Sequence, residues 1–260
     1  MNFDKIRAAK NPIFFCSFGK DSSCILHALK QQKLLDKLIV VFLDCGGLFP
    51  DIVEWAEEQG KTIPHFVHAH APGNIWDDIH ANGFPVDVEI SELGRFGREL
   101  GADPLAKKYK VRPWVDCVYK RVWLVEQEVI DRAKPDLIIT GERQQDRPLA
   151  QDWDTRSQIE ILRPIFKWSD EKVWAYIDNN DIPLSKSFQG RQKDRRDCWL
   201  CLGGHDFTPT WMRELKDRWP HLYSKLVVDE GFGELLPAVI GHCKMITAKL
   251  EGVQEVCNGR

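Results

Sequence analysis

Ser17-Phe18-Gly19-Lys20-Asp21-Ser22-Ser23 follows an apolar run at residues 13–16 and opens a helical pattern at residues 22–31. That placement, strand before and helix after, carries more weight than the letters. Gly19 lets a ligand approach the backbone, and the first N–H groups of a helix have no intrahelical acceptor, so they favour an anion. Ser17, Ser22 and Ser23 add hydroxyl donors and Lys20 adds a mobile positive charge. Each hydrogen bond to a charged oxygen is worth roughly 1.5–3 kcal/mol. The plainer reading is an ordinary strand-to-helix turn capped by Ser17 or Asp21.

Outward from this loop, short β-branched or apolar runs at residues 13–16, 38–43, 65–69, 136–140 and 159–163 read as strands, the first four buried on both faces. Between and after them, residues 22–31, 51–60, 75–82, 117–133 and 170–179 read as helices, the last with Ser169 as N-cap. The alternation predicts an α/β, Rossmann-like fold: a parallel sheet joined by right-handed crossovers, with helices on both faces. Residues 83–113, with Pro85, Pro104, Lys107, Lys108, Lys110 and Arg112, read as a long insertion. Beyond Leu202 the pattern is mostly helical, amphipathic over 211–226, with a loose tail. The expected division is a nucleotide-binding domain over residues 1–201 and a helical C-terminal extension over 202–260.

Four further stretches lie where chemistry is expected. Asp44-Cys45-Gly46-Gly47-Leu48-Phe49-Pro50-Asp51 ends the second strand, and ligands sit at the strand ends of open parallel sheets. Thr140-Gly141-Glu142-Arg143-Gln144-Gln145-Asp146-Arg147 follows the fourth. Arginine suits phosphate or sulfate because its planar fork donates two parallel hydrogen bonds. Arg163-Pro164 to Trp168-Ser169-Asp170-Glu171 leads into the last helix of the sheet region, where Trp168, Trp174 and Ile177 read as core and Asp170 and Glu171 as complements to the helix dipole. Cys198-Trp199-Leu200-Cys201 is a C-x-x-C, and His205 extends it to the C-x₂-C-x₃-H spacing of a partial zinc site that Cys117 would complete.

These motifs together resemble the adenine nucleotide α-hydrolase (PP-loop) superfamily and, within it, the sulfonucleotide reductases that act on phosphoadenosine phosphosulfate (PAPS) or adenylyl sulfate (APS). Ser17–Ser23 is similar to the PP-loop, and residues 44–51 to an Asp-Thr-Gly-x-x-Phe-Pro-Glu segment, with Cys45 for threonine and Asp51 for glutamate. Arg143 falls on the arginine of a Thr-Gly-x-Arg segment, and Arg147 has no direct equivalent. The resemblance implies nucleotide binding by Ser17, Phe18, Gly19, Lys20, Asp21, Ser22, Ser23, Asp44, Gly46, Gly47, Gly141, Arg143 and Arg147. Cys117 with Lys120-Arg121, and Cys198 with Cys201, are similar to parts of the family's iron–sulfur signature, although Asp116 stands where its first cysteine belongs. Two metals stay open, a [4Fe–4S] cluster or zinc, on Cys117, Cys198 and Cys201 with Asp116 or His205 as fourth ligand, as does a loop without metal. Cys257 lies near the place of the family's nucleophile, without the Gly-Leu-His that follows it there. Cys16 and Cys24 read as small buried hydrophobes, while His65, His68 and His70 read as ordinary strand residues.

The 260 residues carry a net charge of −3, with an isoelectric point near 6.3, which gives no basic surface for nucleic acid. No apolar run reaches the roughly 20 residues that span a bilayer. The charged first ten residues lack a signal-peptide core, and eight cysteines do not make a secreted disulfide scaffold, so a cytoplasmic protein is expected. Two reactions compete. In a reductase, Cys257 attacks the sulfonucleotide and a thioredoxin-like dithiol releases sulfite, with Lys20, Arg143 and the basic segment 107–112 neutralising the anion. In an ATP pyrophosphatase, to which the Lys20-Asp21-Ser22 triplet is more similar, Mg²⁺ assists adenylation of an acceptor for sulfur transfer. A non-catalytic nucleotide-binding module is a third reading, and homo-oligomerisation stays open.

Overall fold

A computed structural model describes residues 1, 3–86, 110–146, 159–188, 198–200, 210–230, 233 and 235. The chain forms two compact units, Met1–Ala71 with Val122–Gln192, and Pro72–Arg121 with Lys193–Arg260. This is a different cut from a division at residue 201, because the middle of the chain groups with its C-terminal part.

In the first unit, α1 (Asp4–Ala8) precedes β1 (Pro12–Phe15), α2 (Lys20–Gln31), β2 (Ile39–Asp44), α3 (Pro50–Gly60) and β3 (Phe66–His70). The second unit contributes α4 (Ile75–Asn82), β4 (Phe84–Val86), β5 (Val111–Pro113) and α5 (Trp114–Val118). After a π-helical segment, Tyr119–Trp123, the first unit resumes with α6 (Leu124–Ala133), β6 (Leu137–Ile139), β7 (Glu160–Leu162) and α7 (Asp170–Asn179). The second unit continues with α8 (Thr210–Arg218) and α9 (Pro220–Ser224).

The first unit is built on a five-stranded sheet of order β3-β2-β1-β6-β7, every pair parallel. Its centre follows from sequence: Ile13, Phe14, Val40, Val41, Ile138 and Ile139 are fully buried, as strands covered on both faces must be. The edge strand β3 differs from the expectation of two-sided burial. Val67 on β3 is 38% exposed, because an edge strand has a neighbour on only one side. On one face Ile13, Val41 and Ile138 pack against Ile130 of α6. On the other, Gly60 of α3 lies so close to Phe66 that a Cβ would stand 2.4 Å from its ring. Helices therefore cover both faces. The same face carries Phe18, edge-on to Phe42 and Phe66.

Cys24 of α2 packs with Val173 and Ile177 of α7 in a second cluster, bordered by Trp168, Trp174 and Tyr176. Ser169 caps α7 by accepting from Lys172 N. Cys16 and Cys24 are buried, and burial pushes both thiols up to about 12, which makes them inert.

In the second unit the segment read as an insertion is anchored by a short parallel pair, β4 with β5. Gly83 begins it with φ +94°, and a Cβ there would stand 2.7 Å from the Lys110 backbone, so only glycine fits. Arg112 is nearly buried and paired with Asp78 of α4. Trp76 packs on Trp199 at 5.8 Å, with Lys225 Nζ 5.0 Å from the Trp76 ring. No helix among the described residues is long and apolar enough to cross a membrane.

Candidate functional site

The order in which strands are added reverses between β1 and β6: from β1 the chain proceeds to β2 and β3 on one side, and from β6 to β7 on the other. Loops leaving the carboxyl ends of such a strand pair diverge and leave a crevice where ligands bind. The loop after β1 is Ser17–Ser23, and the loop after β6 carries Gly141 and Arg143. The two meet there. A Cβ on Gly141 would stand 3.2 Å from Ser22 N, so the second loop runs directly over the start of α2.

The first loop is braced from within. Ser17 Oγ and Ser22 Oγ lie 3.2 Å apart, Gly19 N–H donates to Ser17 Oγ at 3.4 Å, and Ser23 Oγ donates to Phe18 O at 3.3 Å. Phe18 has φ +56°, a backbone state that costs a bulky residue about 1–3 kcal/mol. Its ring, 1% exposed and wedged against Phe42 and Phe66, holds it there. The Phe18 side chain thus belongs to the core, and only its backbone faces outward chemistry. Gly19 is covered by Phe188, whose ring would meet a Cβ at 3.3 Å. Phe188 ends a short 3₁₀ turn that is pinned to α3: Ser187 N–H donates to Asp51 Oδ2 at 2.7 Å and its hydroxyl to Oδ1. Asp51 therefore stabilises the wall of the loop.

At the mouth of the loop four charges interlock. Lys20 Nζ lies 2.7 Å from Asp21 Oδ2 and 3.1 Å from Asp170 Oδ1. Arg143 Nε lies 2.9 Å from Asp21 Oδ1, and its Nη1 2.9 Å from Asp170 Oδ1. Arg143 is 3% exposed, whereas Asp170 is 39% exposed. Burial would raise the Asp170 carboxyl, but Lys20 and Arg143 outweigh it and hold the group below the usual carboxylate range. The cluster is neutral as it stands. An incoming phosphate or sulfate can replace the exposed Asp170 carboxylate as partner of both cations, because the donors are already oriented. Asp170, which the sequence marks only as a dipole complement, is thus part of the site. The Thr140 hydroxyl, at the end of β6, is buried without a hydrogen-bond partner among the described residues.

Beside this crevice, Arg163 Nε is paired with Glu142 at 2.7 Å. Burial, reinforced by the Glu142 charge, pushes the Glu126 carboxyl of α6 up to about 8. Asp44 and Gly46 sit at the end of β2, where Gly46 adopts φ +81° and donates its N–H to Asp44 Oδ1 at 2.7 Å; Gly47 follows in the same turn.

Of the thiol ligand set, Cys117 on α5 and Cys198 are both half-buried and both belong to the second unit. Two soft donors suit iron–sulfur and zinc alike. Asp116 occupies the first turn of α5. Cys201, His205, Arg147, Cys257, Lys107 and Lys108 lie outside the described residues. The remaining cations of the basic segment are engaged in their own unit: Lys110 Nζ donates to His80 O at 2.6 Å and Arg112 pairs with Asp78. Arg121 donates to the Pro72 and Gly73 carbonyls, both at 3.3 Å.

Residues 11–191 match the phosphoadenosine phosphosulfate reductase domain family. An uncharacterized protein of Methanocaldococcus jannaschii is 26% identical over 215 residues, which cover 81% of this chain and 45% of that protein. The phosphoadenosine 5′-phosphosulfate reductase of Xanthomonas euvesicatoria pv. vesicatoria is 24% identical over 182 residues, 67% of this chain and 64% of that one. The chain thus spans about half the length of the archaeal relative and less than two thirds of the bacterial one. Among solved structures, the phosphate complex of phosphoadenylyl-sulfate reductase from Candida auris matches with a TM-score of 0.50 at 16% identity, over 72% of this chain and 81% of that one. At that identity the likeness is one of fold.

Proposed function

We propose, from the premise that this chain belongs to the phosphoadenosine phosphosulfate reductase domain family, that it binds a sulfonucleotide at the β1/β6 crevice and releases sulfite from it. The observation that carries this reading is the convergence of the Ser17–Ser23 loop and Arg143 at the sheet's reversal point. Backbone N–H groups at the start of α2, with Lys20 and Arg143, take the phosphate and sulfate oxygens; Gly141 keeps the second loop low enough for the anion to reach them.

Cys257 is assigned as the nucleophile on its place in the sequence. Its thiolate attacks the sulfate sulfur, the S–O bond to the nucleotide phosphate breaks, and the nucleotide leaves with the electron pair. The resulting enzyme thiosulfonate is opened by a thioredoxin-like dithiol: one thiolate attacks the Cys257 sulfur and expels sulfite, and the second resolves the mixed disulfide. The dithiol is oxidised and the sulfur reduced by two electrons. A cluster or zinc ion on Cys117, Cys198 and Cys201, with Asp116 or His205 as fourth ligand, would supply a structural tie in the second unit.

A second reading keeps the crevice and changes the reaction: cleavage of ATP between the α and β phosphates, with Mg²⁺ neutralising pyrophosphate. The Lys20-Asp21-Ser22 triplet and Asp116 in a cysteine's place favour it. Sulfite release from PAPS and from APS with a dithiol, measured beside pyrophosphate release from ATP with Mg²⁺, decides between them. Sulfite release that Cys257→Ser abolishes is the expected result. Pyrophosphate without sulfite would replace the first reading by the second, and nucleotide binding without either product would make the chain a non-catalytic nucleotide-binding module.

A further inference from the structure

At the carboxyl end of β2 and β3, outside the four-charge cluster, Asp44, His68 and His70 point at one another. We propose that they form a binding site for a divalent transition-metal ion with a two-imidazole, one-carboxylate donor set. The placement follows from strand geometry. His68 and His70 are two residues apart on β3 and so share a face. In the parallel register Asp44 stands opposite His70 and Phe42 opposite His68, so the carboxylate joins the imidazoles on that face.

The distances fit an ion. Asp44 Oδ2 is 3.6 Å from His68 Nε2 and 3.6 Å from His70 Nδ1. These separations are too long for hydrogen bonds. A metal at about 2.0–2.2 Å from each of its tetrahedral ligands separates those ligands by roughly 3.3–3.6 Å. All three ligand atoms lie within 4.8 Å of one another. His68 Nε2 is buried and has no hydrogen-bond partner among the described residues, an arrangement that costs free energy unless something occupies the space it faces.

The surroundings set each ligand. Gly46 N–H holds Asp44 Oδ1 at 2.7 Å and leaves Oδ2 turned to the histidines. The other nitrogen of His68, Nδ1, lies 3.5 Å from Glu57 Oε1 on α3, the carboxylate–histidine arrangement that orients metal-bound imidazoles and raises their basicity. Phe42 lies against the His68 ring at 5.0 Å and His70 at 3.8 Å, which restricts rotation out of the site. His70, 62% exposed, stands on the solvent side, so the remaining coordination positions open to water. The donors are nitrogen and oxygen, unlike the thiols of the second unit, and the two metal sets are spectroscopically separable.

The test is titration of the chelator-treated full chain with Co²⁺, followed by displacement with Zn²⁺. Visible d–d bands report cobalt, and a near-ultraviolet thiolate-to-cobalt band reports any cysteine ligand. The proposal expects one equivalent of cobalt whose d–d bands carry no thiolate band, displaced by zinc. His70→Ala, at an exposed position, and Asp44→Asn should each abolish that equivalent, and Glu57→Gln should weaken it about 10- to 100-fold. Thermal melts of the metal-free variants, superimposable on the parent for His70→Ala, tie the loss to the ligand. Cobalt bound solely through thiolate, or a nitrogen–oxygen signal that survives His70→Ala, overturns the assignment. So does no binding at all. Sulfite and pyrophosphate assays are not part of the readout, so the site stands or falls independently of the reaction.

Discussion

Arg143 shows how a residue can be legible in kind and not in context. Its match to a Thr-Gly-x-Arg segment marks it as an anion-binding candidate, but its burial and its two carboxylate partners are visible only in three dimensions. Phe18 is the converse case. The sequence places it in the loop, and packing assigns its ring to the core, leaving only its backbone for a ligand. Glu126 had no motif around it at all; its significance arises from burial on α6 and from the charge of Glu142. Its raised value makes a pH prediction with a definite sign. The folded chain retains a proton there up to about pH 8, whereas the unfolded chain loses it near the ordinary 4.5. This group therefore stabilises the fold most at and below about pH 4.5, and its contribution declines as pH rises through about 8. Thermal melts from pH 5 to 9 should show the parent losing stability along that window and Glu126→Gln losing distinctly less. Parallel curves would remove the raised carboxyl from the account.

At the scale of elements, helix boundaries were readable wherever chemistry punctuates them. Residues 75–82 and 170–179 read as helices, and α4 and α7 occupy those spans, each capped by a side chain: Asn74 accepts from Trp76 N and Ser169 from Lys172 N. The long helix expected over 117–133 is instead α5, a π-helical segment and α6. Periodicity alone does not distinguish a widened turn from a regular one. β4 and β5 do not read as strands because each is three residues long and holds a proline, Pro85 or Pro113, in a stretch that reads as loop. Gly60 tests how α3 is seated. The helix reaches β3 because no Cβ stands between its last residue and Phe66. Gly60→Ala places a methyl into that ring and should cost about 1–3 kcal/mol by overpacking, despite alanine's higher helix propensity. Denaturant unfolding would measure it, and an unchanged or raised midpoint would show that Phe66 moves aside freely.

Across the molecule, the crevice has one thermodynamic signature. A ligand that binds only the folded chain stabilises it by about 2.7 kcal/mol at a hundredfold excess over Kd, roughly 5–10 °C for a chain of this size. APS or PAPS should raise the melting temperature by that order, and Arg143→Ala should remove most of the rise. If no adenine nucleotide shifts the parent, the Ser17–Ser23 loop is a turn and not a binding site. The sequence by itself determined the parallel α/β plan and the position of the Ser17–Ser23 loop between β1 and α2. Those are properties of adjacent residues: hydrophobic period, turn glycines and helix starts act over a few positions of chain. Only the tertiary structure decided that Asp170 closes the charge cluster with Lys20 and Arg143, and that Asp44 joins His68 and His70. Segments that far apart meet through strand register and crossover packing, and a one-residue shift between β2 and β3 would put Asp44 and the two histidines on opposite faces of the sheet.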